Sequence, residues 1–188
     1  MTVSTLDPKT ALLVVDLQKG IVGLQAAHPM DGVVKNAVAL AEAFRARKLP
    51  VVLINVDNLA PGRAEHSFSV NAFPAGWTEL IPELNRQPSD HLVTKRTWGA
   101  FTNTDLDRYL KANGVTQVVV VGVATTAGVE STARFAHELG YNVTLAVDAM
   151  TDMNAEAHDN SVTRIFPRMS ETGTTQQIID LLEKTPRS

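Results

Sequence analysis

A chain of 188 residues with 44% hydrophobic content can bury one sizeable core, and a single domain over 1–188 is expected. The net charge of −3 and the scatter of Lys and Arg argue against a nucleic-acid binder, and no apolar run is long enough to span a membrane. The absence of cysteine excludes disulfides, cysteine–zinc sites and thiol chemistry. Met1–Thr10 has neither a basic start nor an apolar stretch, so no secretory signal is visible and a cytoplasmic location is expected.

In chain order, Thr10–Asp16 (T-A-L-L-V-V-D) is an unbroken apolar run of the kind that forms a strand buried on both faces, and it ends in a carboxylate. Gly20–Met30 reads as a loop, with His28-Pro29 extended. Asp31 can cap a helix over Val33–Lys48, which Leu49-Pro50 stops, and Val51–Asn55 is the next strand. From Val56 to Asp90 prolines and glycines break the pattern, leaving room only for a short helix around Thr78–Asn85. Leu59, Phe68, Val70, Phe73 and Trp77 make this stretch too apolar for a free linker; a lid, a binding loop or an oligomer contact is expected.

His91–Lys95 is a short strand, followed by a loop, Thr97–Phe101, that shows two aromatics. Asn103 or Thr104 caps a helix over Asp105–Ala112, which Asn113-Gly114 ends. The run Val118–Val121 ends at Gly122, and a short Ala/Thr/Gly turn leads into a helix with Val129, Thr132, Ala133, Ala136 and Leu139 on one face. Such a turn directs backbone N–H groups from a helix start, which favours negative charge, at the strand end where open α/β sheets place ligands. Tyr141–Asp148 is a strand, Asn154–Arg164 a helix, Met169–Thr172 a short edge strand and Thr174–Lys184 a final helix. Strands alternating with helices predict a doubly wound α/β fold.

Three of these strands end in polar features: Asp16, Lys95 and the Ala124–Gly128 turn, which one rim of a parallel sheet would gather. The stretches A-L-L-V-V-D-L-Q, V-T-K-R-T-W-G-A-F and G-V-A-T-T-A-G-V-E-S-T-A-R resemble, in order and spacing, the isochorismatase-like (cysteine hydrolase) superfamily. The resemblance implies a three-layer α/β sandwich with a six-stranded, mainly parallel sheet, a homo-oligomer (dimer or larger), a small-molecule substrate, and a cis peptide at Val123–Ala124. It matches Asp16 and Lys95 to the family's aspartate and lysine, and it sets Gly128 where the family carries its catalytic cysteine. The thiolate route to an acyl-enzyme is therefore closed, and no His–Asp pair is placed to activate Thr125, Thr126 or Ser131 instead.

True isochorismatases, which this chain resembles in carrying glycine there, cleave a vinyl ether without a covalent intermediate. That implies Asp16 as general acid, with Lys95 holding the substrate or orienting Asp16. The Tyr-Ala-His segment typical of those isochorismatases is here Ala124-Thr125-Thr126, and the following E-S-T-A-R looks more like the amidase branch. An ammonium about 4 Å away would favour the ionised carboxylate by about 4 kcal/mol, while burial opposes it; direct activation of water by Asp16 acting as a base stays open beside the acid role. Val123, Ala124 and Thr125 are expected to line the substrate, and Trp98 and Phe101 to wall a pocket for a flat molecule. Asp57 and His66 lie where nicotinamidases bind a metal, but the Asp-x-His spacing is missing, so no metal is expected. The lack of a Gly-rich fingerprint argues against a nucleotide cofactor, and none of any kind is expected. Asp148 reads as a structural hydrogen-bond partner, and His137 and His158 are given no chemistry. The competing reading is a catalytically lapsed member that binds a small molecule or acts through an oligomer surface.

Overall fold

Apolar runs too hydrophobic to face water on either side must be covered on both, and here two layers of helices do so. The computed structural model describes residues 2–65 and 73–185. Its strands are β1 (Thr10–Val15), β2 (Val51–Val56), β3 (His91–Lys95), β4 (Gln117–Val123), β5 (Asn142–Thr151) and β6 (Glu171–Gly173). They pair in the order β3-β2-β1-β4-β5-β6 and every pairing is parallel, so the expected mainly parallel sheet is wholly so. The helices are α1 (Lys19–Val22), α2 (Met30–Ala46), α3 (Leu106–Ala112), α4 (Glu130–Glu138), α5 (Ala155–Asn160) and α6 (Thr175–Lys184). The expectations attached to His66, Phe68 and Val70 fall outside the described residues.

Alternation along the strands divides the core in two. Leu12, Val14, Leu53, Val119 and Val121 meet α2 and α6 through Ala37, Leu40, Phe44, Ile178 and Leu182. Leu13, Val15, Ile54, Val118 and Val120 meet α3 and α4 through Leu106, Leu110, Ala133 and Ala136. The result is a three-layer sandwich. At one outer edge the chain's own start runs beside β6: the Val3 N–H donates to the Thr172 carbonyl at 2.7 Å, and Ser4 bonds the Glu171 carboxylate through its N–H and hydroxyl.

Several boundaries differ from the expectations for local reasons. The second helix begins at Met30 with Pro29 as its cap, so Asp31 sits inside the first turn, where its charge suits the helix dipole. Neither Asn103 nor Thr104 takes the cap position of α3, which falls on Asp105; Thr104 instead accepts the Leu106 N–H at 3.3 Å. The expected helix over Thr78–Asn85 is only a 3₁₀ turn, Pro82–Leu84. The helix expected over Asn154–Arg164 is α only to Asn160 and then widens into a π-type turn, Ser161–Ile165. The strand expected to stop at Asp148 continues to Thr151, its register with β4 shifting between Val120 and Gly122.

Gly122 explains how β4 lies so close to β1. Its φ is +119°, and a Cβ there would sit 1.9 Å from the Val15 carbonyl oxygen, which is backbone and cannot yield. We expect Gly122→Ala to lower stability by about 3 kcal/mol or more in urea denaturation, combining a backbone clash with a disfavoured φ. Gly32→Ala, in α2 with nothing within 4 Å of the added carbon, should instead raise it by up to about 1 kcal/mol.

Candidate active site

The strand order reverses between β1 and β4: β2 and β3 extend the sheet to one side, β5 and β6 to the other. Crevices at such a switch point, beyond the carboxyl ends of the strands, are where doubly wound sheets bind ligands. Asp16 follows β1 directly, with a left-handed φ of 54° that turns the chain away from the strand direction. Lys95 ends β3, two strands away. Its long stem crosses the end of β2, and its Nζ donates to Asp16 Oδ2 at 2.7 Å and to the Thr97 carbonyl at 3.2 Å. Both residues are deeply buried, at 4% and 2% exposure. The second carboxylate oxygen, Asp16 Oδ1, is buried and has no hydrogen-bond partner among the described residues. Burial pushes the Asp16 carboxyl up to about 6, outweighing the opposing charge and hydrogen bond of Lys95. Where the sequence left the two effects in balance, desolvation wins.

The turn after β4 stands opposite. The Val123–Ala124 peptide is cis, as the family resemblance implies. Residues Thr125–Val129 then form a single wide π-type turn before α4. Asp152, just past the end of β5, holds this turn: its Oδ2 accepts the Thr126 N–H at 2.8 Å and the Thr126 hydroxyl at 2.7 Å. Thr132 ties the turn to the loop after β3, donating to the Gly128 carbonyl at 2.6 Å and accepting the Ala100 N–H at 3.1 Å. A Cβ on Gly128 would lie 3.0 Å from Asp16 Oδ2, 3.0 Å from Val15 Cγ1 and 3.3 Å from the Val123 carbonyl oxygen. The turn thus closes directly onto the carboxylate, and any side chain at Gly128 would press on it.

Asp16, Lys95, Val123, Ala124 and Gly128 share a cavity of about 380 Å³ whose other walls are mostly apolar. Ile21 and Leu24 line it from the α1 region, Val56 and Leu59 from the end of β2, and Met153 from beyond β5. Phe73, Trp77 and Trp98 add aromatic surface, Phe73 and Trp77 stacking at 4.0 Å with planes 10° apart. Trp77 rests on Gly20, where a Cβ would lie 2.0 Å from the indole Cδ1. Gln18 fixes this corner: buried, it donates to the Val56 and Trp77 carbonyls at 3.0 and 3.2 Å and accepts the Val56 N–H at 2.8 Å.

Two expected lining residues lie elsewhere. Thr125 is buried behind the turn, its hydroxyl 2.8 Å from His158 Nδ1, so it supports the turn from the side away from the cavity. Phe101 turns toward the core and packs near Tyr141, with ring centroids 6.2 Å apart, because the layer beneath the sheet accommodates its ring. His158, left without a role, thus proves structural; burial lowers its basicity, and the nearby His28 lowers it further. Asp148 is structural as expected, its Oδ1 accepting the N–H and hydroxyl of Thr175. Asp57 pairs with Arg96 at 3.4 Å, and no metal-competent cluster of three acidic or histidine side chains occurs among the described residues. Asp152 and Gln18 are the site-building residues the sequence did not disclose. The signal for Asp152 was a carboxylate after M-T, hidden because β5 looked complete three residues earlier.

With this geometry in view, the relationships of the chain are consistent. Residues 10–177 match the isochorismatase domain model, and the chain belongs to the isochorismatase family. It is 40% identical over 179 residues to the isochorismatase family protein YwoC of Bacillus subtilis (strain 168), covering 92% of this chain and 93% of that one. It is 31% identical to Nicotinamidase 3 of Arabidopsis thaliana over 79% of this chain and 76% of that protein. The solved structure of an isochorismatase family protein from Burkholderia thailandensis superposes with a TM-score of 0.93 at 39% identity, covering 97% of this chain and all of that one.

The protonation of Asp16 has a measurable consequence for stability. Its carboxyl is raised from 3.8 to about 6, so between about pH 4 and 6 the folded chain binds a proton that the unfolded chain has released. Stability from this group is therefore highest at low pH and falls as pH rises through the window. We expect the wild type to gain about 2 kcal/mol relative to Asp16→Asn when urea denaturation is moved from pH 7.5 to pH 4.5. A constant difference between the two proteins would refute the raised value.

Proposed function

We propose that this protein is a hydrolase of a small organic substrate in which water, not a protein nucleophile, breaks the bond, and Asp16 carries the proton. The carrying observation is the Asp16–Lys95 pair in an apolar cavity: one carboxylate oxygen is held by the ammonium and the other has no partner. A carboxyl poised near 6 can give or take a proton close to neutral pH, which is what general acid–base catalysis requires. The chain has no cysteine, and the resemblance sets Gly128 in the nucleophile's place, so the thiolate route to an acyl-enzyme is not available to it.

The raised carboxyl favours the acid role. In that role Asp16 protonates the carbon of an enol ether, water adds to the oxocarbenium ion, and the resulting hemiketal collapses to a carbonyl compound and an alcohol. Lys95 fixes the orientation of the carboxylate through Oδ2, leaving Oδ1 to exchange the proton. In amide hydrolysis, the chemistry named for the plant nicotinamidase relative, Asp16 would instead serve as the base that activates water.

The pH dependence of kcat/KM separates these roles. An acid role predicts activity that falls as pH rises through about 6; a base role predicts activity that falls as pH drops through the same point. Asp16→Asn should lose turnover by about a hundredfold or more while keeping its far-UV circular dichroism. The assay panel is isochorismate, simpler enol ethers and small amides, scored for carbonyl product and for ammonia. Turnover unaffected by the substitution would remove Asp16 from the mechanism, and no turnover on any member would favour the binding-protein reading.

A further inference from the structure

We propose that His28 and His158 form a proton-operated latch on the Thr125–Val129 turn, closed while both imidazoles are neutral and released when acid charges the pair. The latch goes beyond the hydrolase reading and does not depend on what the cavity binds.

Two histidines distant in sequence meet behind the turn. His28 stands exposed in the loop before α2, and His158, on α5, is buried against it with ring centroids 4.6 Å apart. Each is tied to a different support. The His28 N–H donates to the Thr151 hydroxyl at 3.2 Å, and its ring Nδ1 lies 3.0 Å from the same oxygen. His158 Nδ1 lies 2.8 Å from the hydroxyl of Thr125, the first residue of the turn. Thr125 is fully buried, and His158 is the only hydrogen-bond partner of its hydroxyl among the described residues.

This contact depends on protonation. A neutral imidazole with a bare Nδ1 accepts the Thr125 hydroxyl proton, whereas an imidazolium carries protons on both nitrogens and can only donate. Charging His158 therefore turns the hydroxyl proton away from its acceptor, in a buried place that offers no other among the described residues. Two charged rings at this separation also repel each other. The charged groups that reach His158 are His28 from the loop before α2, Asp152 from the end of β5 and Asp159 from α5 itself. The two carboxylates favour a charged ring, but burial and His28 outweigh them and lower the basicity of His158. Asp152 is already engaged by Thr126 and Asn154, and Glu130, on α4, by Arg134 and Ser161. A base whose proton affinity is lowered in the closed turn binds more protons once the turn opens, so acid favours opening. The effect sets in as pH falls below about 6.5, the ordinary histidine value, and reaches about tenfold one unit lower for a single ring.

Hydrogen–deuterium exchange of the full chain at pH 7.5 and 5.5, corrected for the intrinsic pH dependence of amide exchange, reads the latch. The amides of Thr126, Ala127 and Val129 are hydrogen-bonded in the closed turn. Their protection should fall about tenfold relative to that of β1 between the two pH values. His158→Gln should abolish the fall, and His28→Gln should lessen it by easing protonation of His158 in the closed turn. The fall should persist in Asp16→Asn, which separates it from titration of the carboxylate that faces the turn. No fall in the wild type, an undiminished fall in both histidine variants, or its disappearance in Asp16→Asn would overturn the proposal. Should His158→Gln fail to fold, His28→Gln, at an exposed ring, decides: a lessened fall supports the latch and an unchanged one removes it.

Discussion

The ion pair between Asp16 and Lys95 is the constraint around which this rim of the sheet is arranged. Removing two charges from water costs several kcal/mol for each ion, and only close geometry returns it. That geometry depends on the strand order. With β2 between them, the ends of β1 and β3 lie just far enough apart for a lysine stem to bridge, and the loop carbonyl of Thr97 receives the ammonium. The return is incomplete: desolvation still dominates at Asp16, whose carboxyl stays above its ordinary value despite an ammonium in contact. A more exposed lysine pair would have produced an ordinary ionised aspartate of little use in moving a proton at neutral pH.

The facing turn is fixed by a different set of forces. Gly122 lets β4 press against the end of β1, and Asp152 then ties down Thr126 by two hydrogen bonds from beyond β5. Behind it, Thr125 and His158 form a buried contact at the start of the wide turn. The site therefore draws on four strand ends. Each contributes one element: a carboxylate, an ammonium, a turn and the brace that holds the turn.

Much of this was legible in the residues. Unbroken runs such as A-L-L-V-V and V-V-V-V announce buried parallel strands, and Asp16, Lys95 and the turn could be placed at one rim from their positions at strand ends. What stayed hidden depended on contacts distant in sequence. Whether Phe101 faces the cavity or the core is decided by Tyr141, forty residues later, and no local pattern carries that information. Thr125 looked like a lining residue because its neighbours are; its partner His158 lies on α5. Asp152 was obscured by a register shift in β5, since extra strand length is a property of the pairing with β4 and not of the segment alone. The balance between burial and Coulomb attraction at Asp16 likewise needed the third dimension.

The start of the chain lies along β6, bonded to residues 167 positions away. Contacts this distant close a long loop, and their closure entropy is recovered only once the intervening sheet has brought the two segments together. The segment Val3–Ser4 therefore has no strand to pair with until β6 is in place. Until then β6, only three residues long, has an uncovered side. The completion of this sheet edge thus rests on the meeting of two segments distant in sequence, far from the rim that holds the Asp16–Lys95 pair.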